Sequence, residues 1–198
     1  MGKENIEKKP IKKTNSPKNT EDLKKKSSTL VKTITEKKAY EKKKYEKVST
    51  GIKNLDKITD GGFVKSSINM IVGGTGTGKS IFTIQFLIEG LKKGESCLYI
   101  SFEEKKEEVY ANMLRLGWDI EKYENQKKFF FLEYTPEKVK TMLEEGGGEI
   151  ETLVLTKKIA RIAVDSITAF TALFTKESEG RDSTLSLLEL LERNPLSC

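Results

Sequence analysis

INMIVGGTGTGKSIFTIQFLIEGLKKG, residues 68–94, holds the octapeptide GGTGTGKS, Gly73 to Ser80, which satisfies the spacing G-x-x-x-x-G-K-[ST]. On its left, INMIV predicts a buried strand. On its right, Phe82, Ile84, Phe86, Leu87 and Leu91 recur at helical spacing up to Gly94, a natural helix stop. A strand, a glycine-rich turn and an amphipathic helix are the context that a phosphate-binding loop demands. Small residues (Gly73, Gly74, Thr75, Gly76, Thr77, Gly78) let backbone N–H groups curl around a phosphate, and the helix N-terminus adds partial positive charge. Lys79 is expected to reach the β- and γ-phosphates, and the Ser80 hydroxyl to coordinate Mg²⁺.

Downstream, the same alternation repeats. CLYISF (97–102) predicts a second strand, about 105–116 a charged helix, FFFL (129–132) a third strand, 137–144 and 149–158 two helices, and RIAVD (161–165) a fourth strand. Upstream, STGIKNLDKITDGGF (49–63) predicts a short helix and a turn at Gly61-Gly62 that leads into INMIV. Strand and helix in regular turn predict an α/β fold with a mainly parallel sheet flanked by helices.

In such a sheet, ligands sit beyond the carboxyl ends of the strands. Two features fall there. Asp165 closes the fourth strand, in the pattern where a carboxylate holds Mg²⁺ through water. Glu103 and Glu104 follow the second strand, and one of them would orient or deprotonate a water attacking the γ-phosphate. By residue type alone, that doublet reads equally well as the acidic start of a helix.

Composition narrows the chemistry. The chain has 198 residues, 36 Lys and Arg against 30 Asp and Glu, no His, and two Cys, Cys97 and Cys198. Without histidine, a Ser-His-Asp triad is excluded and proton transfer falls to carboxylates, Lys, Tyr or Cys. Two cysteines make neither a disulfide framework nor a zinc site. The charge is segregated: residues 1–50 hold 16 Lys and seven acids, so the remainder is mildly acidic despite the formal net charge of +6. Residues 1–47 are expected to be a disordered Lys-rich extension, and residues 48–198 the folded domain. The extension reads either as a solvated tail or as a polycation that touches nucleic acid. No run approaches the roughly 20 apolar residues of a membrane span, and the start lacks a secretory apolar core, so a soluble cytoplasmic protein with no membrane partner is expected.

Taken together, STGIKNLDKITDGGF, GGTGTGKS, YISFEE, RLGWD (115–119) and RIAVDSITAF (161–170) resemble the RecA-like P-loop ATPases of the KaiC and RadA type, in that family's order from about residue 49 to 191. The resemblance implies a RecA-like core, ATP with Mg²⁺ as cofactors, and hydrolysis at subunit interfaces of a homo-oligomeric ring, commonly a hexamer. It also implies that Glu103 and Glu104 match the family's paired catalytic glutamates. The family's sheet continues after the helix that follows the Asp165 strand, and its next strand inserts beside the phosphate-loop strand. This chain stops in or just past that helix, so it resembles a core lacking its C-terminal strands, with two strand edges left open. No RadA-type zinc motif and no second KaiC-type domain accompany it. The function so implied is ATP binding with Mg-dependent hydrolysis in a regulatory or signalling role. The alternatives are a nucleotide-binding module without turnover, from a truncated or frameshifted gene, and a nucleic-acid-associated RecA/RadA-like protein.

Overall fold

A computed structural model describes residues 45–146 and 148–193. Most of the Lys-rich extension expected over residues 1–47 therefore lies outside the described residues. Lys47, which the sequence reading placed in the extension, belongs to β1 (Lys47–Val48), which pairs antiparallel with β2 (Phe63–Val64). Between them, α1 (Lys53–Ile58) is anchored by Asp56, whose Oδ1 accepts from Thr50 N at 2.8 Å and Thr50 Oγ1 at 2.6 Å. The return at Gly62 requires glycine twice over, because φ is +113° and an added Cβ would collide with the Val48 carbonyl.

The main sheet contains three parallel strands in the order β4-β3-β5: β3 (Ser96–Ser101), β4 (Phe129–Glu133) and β5 (Ile159–Asp165). Tyr99 lies opposite Phe131 on one side and Ala163 on the other. Each connection carries helices: α3 (Lys106–Arg115) and α4 (Ile120–Asn125) lead to β4, α5 (Pro136–Glu144) and α6 (Gly148–Lys157) to β5. Then come α7 (Ile167–Ala172) and α8 (Glu177–Glu192). Ahead of the sheet, α2 (Lys79–Lys92) follows the glycine loop.

Every residue of β3 is buried, because helices cover both faces of the sheet. Alternation divides its side chains. Cys97 and Tyr99 pack with α2, α3 and α4 through Ile84, Leu87, Val109, Met113 and Ile120. Leu98 and Ile100 pack with α5, α6, α7 and α8 through Val139, Ile150, Phe170 and Leu187. Each such aliphatic side chain contributes about 2 kcal/mol through burial. The continuous apolar run that predicted a strand is thus the consequence of two cores, one on each face.

One expected strand is absent. INMIV was expected to be a buried strand, yet residues 67–74 form no strand. Met70 is 68% exposed and Val72 85%. A ladder needs a neighbouring backbone about 4.8 Å away. Here a cavity of 320 Å³ lies between Ile68–Gly73 and the edge of β5 from Ile162 to Asp165, with Phe82, Phe86 and Leu191 also on its wall. The run has strand composition but enters no ladder among the described residues. Conversely, α4 was not anticipated; Asp119 caps it, accepting from Lys122 N at 3.0 Å.

Among the described residues, no helix is long and apolar enough to cross a membrane.

Candidate functional site

The glycine loop meets α2 at Gly78, whose φ of +86° sets the turn from which Lys79 starts the helix. Gly73 to Thr77 are exposed, and Lys79 and Ser80 occupy the first turn of α2. The loop is closed by its own side chains: Thr77 Oγ1 donates to the Gly74 carbonyl at 2.9 Å, and Lys79 Nζ to the same oxygen at 2.8 Å.

An unexpected residue fastens this helix to the sheet. Arg161, in β5, is 1% exposed. Its Nη1 donates to the carbonyls of Ser49 (2.7 Å) and Phe86 (2.9 Å), its Nε donates to Glu95 Oε2 at 2.5 Å, and its guanidinium lies 4.6 Å from the Phe86 ring centre. A planar, five-donor group suits this convergence of acceptors. Nothing in RIAVD distinguishes this arginine from a surface one, which is why the sequence does not show it.

Asp165 ends β5, in register with Ser101 at the end of β3. The peptide bond from Asp165 to Ser166 is cis. Ser166 caps α7, accepting from Ala169 N at 3.1 Å, and its Oγ lies 3.5 Å from Glu103 Oε2. Ser101 shapes the turn bearing the glutamate doublet: its Oγ accepts from Glu104 N at 3.1 Å and donates to the Glu104 carbonyl at 2.6 Å. From the interior, Tyr99 Oη donates to Asp165 Oδ2 at 2.7 Å. Glu104 titrates above its ordinary range, first through burial and then through the charges of Asp165, Glu103 and Glu108.

The wall of the 320 Å³ cavity includes Gly73 and Lys79 on one side and Asp165 and Ser166 on the other. Glu103 joins through Ser166, and Glu104 through the field of the same carboxylates. Gly74 to Gly78 form the turn beside that wall, and Ser80 stands one residue beyond Lys79 without lining it. Tyr99, Ser101 and Arg161 are the participants that sequence reasoning missed. Only Tyr99 left a signal, a phenol inside an apolar strand, where a buried hydroxyl needs a partner.

A parallel sheet flanked by helices, with a glycine loop and a strand-end aspartate opening on one cavity, defines a RecA-type P-loop domain. The chain belongs to the KaiC ATPase family, whose description, "ATPase: KaiC", matches residues 48–197. It is 32% identical over 153 residues to the circadian clock protein KaiC3 of Synechocystis sp., an alignment covering 74% of this chain and 30% of that protein. It is also 32% identical over 160 residues to a UPF0273 protein of Thermotoga maritima, covering 74% and 65%. Among solved structures, a KaiC-like protein of Pyrococcus horikoshii superposes with a TM-score of 0.69 at 28% identity, covering 77% of this chain and 68% of that one. The chain thus spans about a third of the length of the first of these relatives. Membership of this family implies nucleotide binding.

Proposed function

We propose that this domain binds ATP with Mg²⁺ and hydrolyses it. The observation that carries the reading is the shared cavity wall of Lys79 and Asp165, a cation and a carboxylate meeting beyond the carboxyl ends of the strands. Lys79 and the amides of Gly73 to Ser80 hold the phosphates, and the helix N-terminus adds its partial charge. Among the described residues no three His, Cys, Asp or Glu side chains gather to hold a metal ion. Asp165 and the Ser80 hydroxyl would supply its oxygen donors, few enough to suit Mg²⁺, which keeps waters and binds phosphate oxygens. When bound, that ion neutralises charge on the β- and γ-phosphates.

Glu103 or Glu104 orients the attacking water and accepts its proton as the water oxygen bonds to the γ-phosphorus. The bond from that phosphorus to the bridging oxygen breaks, leaving ADP and phosphate. A regulatory role, a homo-oligomeric ring and a cytoplasmic location extend the same reading from the family resemblance.

The experiment is a thermal-shift and phosphate-release assay on the 198-residue chain. ATP with Mg²⁺ should raise the melting temperature, and Lys79→Ala should abolish that rise. Glu103→Gln combined with Glu104→Gln should keep the rise and reduce phosphate release by at least about 100-fold. Wild-type nucleotide response in Lys79→Ala would sink the loop assignment.

One observation favours a second reading, a binding module without turnover: no ladder ties residues 67–74 to β5, so the two walls of the site are not locked together. A melting-temperature rise with phosphate release at background would select it. Contact with nucleic acid through residues 1–47 would appear as binding that weakens steeply with salt and vanishes when they are deleted.

A further inference from the structure

Tyr99 stands in the middle of β3, between the aliphatic Leu98 and Ile100, and is 1% exposed. Packing at that position calls for apolar bulk, and a phenylalanine would supply it. The hydroxyl instead reaches across to the neighbouring strand and donates to Asp165 Oδ2 at 2.7 Å. Its ring is stacked on Phe131, with centroids 5.3 Å apart and planes inclined at 22°, and the position is paired on both sides, to Phe131 in β4 and Ala163 in β5. A ring so confined holds its oxygen at a fixed place.

The chemistry of the two groups decides which way the proton lies. A phenol is neutral at pH 7, and an ionised carboxylate can only accept. The hydroxyl stays neutral and acts as donor, so Asp165 is the acceptor. A hydrogen bond to a charged acceptor is stronger than one between neutral groups. It also restrains rotation of the carboxylate, because one of its two oxygens is committed. Asp165 itself lines the cavity that Lys79 lines from the other side.

We propose that Tyr99 is a positioning residue for the cation half of the site: its hydroxyl fixes Asp165 through Oδ2 and leaves Oδ1 for a magnesium ion or a water bound to it. The proposal rests on the nucleotide-site reading above and assigns a residue which that reading does not use. It makes Tyr99 important for the magnesium-dependent part of nucleotide affinity and indifferent to the magnesium-independent part, since its hydroxyl is committed to Asp165 and only its ring packs toward α2.

The test is calorimetric titration of the 198-residue chain with adenylyl-imidodiphosphate, once with EDTA and once with Mg²⁺. Wild type should bind more tightly with Mg²⁺. Tyr99→Phe should match wild type in EDTA and lose about tenfold of the magnesium gain, the size expected for one hydrogen bond to a carboxylate. Phe131→Leu serves as the packing control: it disturbs the same stacked pair without removing the hydroxyl, and should lower the melting temperature while keeping the gain. A full magnesium gain in Tyr99→Phe overturns the proposal and leaves the nucleotide site standing. So does a loss in EDTA as large as that in Mg²⁺, or a loss of the gain in Phe131→Leu equal to that in Tyr99→Phe, because either marks a purely structural role. If wild type itself shows no magnesium gain, the nucleotide-site reading falls and this proposal falls with it.

Discussion

Glu104 illustrates how a single side chain carries both a site and a cost. Its carboxyl is raised by burial and by three neighbouring carboxylates, so the native state holds the proton to a higher pH than the unfolded chain does. The native protein therefore binds more protons than the unfolded one between the ordinary value of 4.5 and the raised one, and stability falls as pH rises through that window. Glu104→Gln should accordingly melt higher than wild type at pH 7, by roughly 1–2 °C because the group is only partly shielded. The gain should disappear near pH 4; melts from pH 4 to 8 measure it, and a variant less stable than wild type at pH 7 contradicts the assignment. At this scale the placing of Gly73 to Ser80 at the start of α2 and of Asp165 at the end of β5 was legible from motif spacing, whereas the Glu103-Glu104 doublet read equally well as an acidic helix start and was singled out by the family resemblance. Arg161 was not legible, because its acceptors are Ser49, Phe86 and Glu95, residues distant along the chain.

Among the elements, α2 connects the loop to the sheet, and its attachment depends on a residue without a side chain. Gly90 lies inside the helix, where alanine would raise helix propensity by about 1 kcal/mol. An added Cβ there would come within 2.5 Å of Arg161 Nε and 2.8 Å of Glu95 Oε2. The far end of a free side chain would give way, but this guanidinium is held by two carbonyls, a carboxylate and the Phe86 ring. Gly90→Ala should therefore destabilise the protein by about 1–3 kcal/mol, against the direction of propensity. Chemical denaturation decides it, and a stabilised variant would show that Arg161 moves freely. Other elements were readable from local signals: the strand FFFL, the helix expected over 137–144 and the Gly94 stop of α2. INMIV carried an equally good strand signal and formed none, because apolar composition specifies burial while a ladder requires a second backbone.

Over the whole molecule, this contrast separates a well-paired interior from a loosely held wall. β3 is bonded on both sides and buried on both faces, whereas residues 67–74 have no ladder. Amide hydrogen exchange should show the Cys97–Ile100 amides near the global limit of protection, and those of Ile68–Val72 exchanging at least about 100-fold faster. ATP with Mg²⁺ should slow exchange at Gly73–Phe82 and leave β4 unchanged. Equal protection of the two segments without ligand would mean that the INMIV run is paired after all.

The sequence by itself determined the alternation of elements, the parallel α/β class and a glycine-rich loop that leads into an amphipathic helix, because periodicity and motif spacing are local properties. Tertiary structure alone decided that β5 ends the sheet on the side of the glycine loop, that Arg161 fastens α2, and that Tyr99 holds Asp165. Each of these depends on how far apart two distant segments lie once both cores are packed, a quantity no single stretch of chain contains.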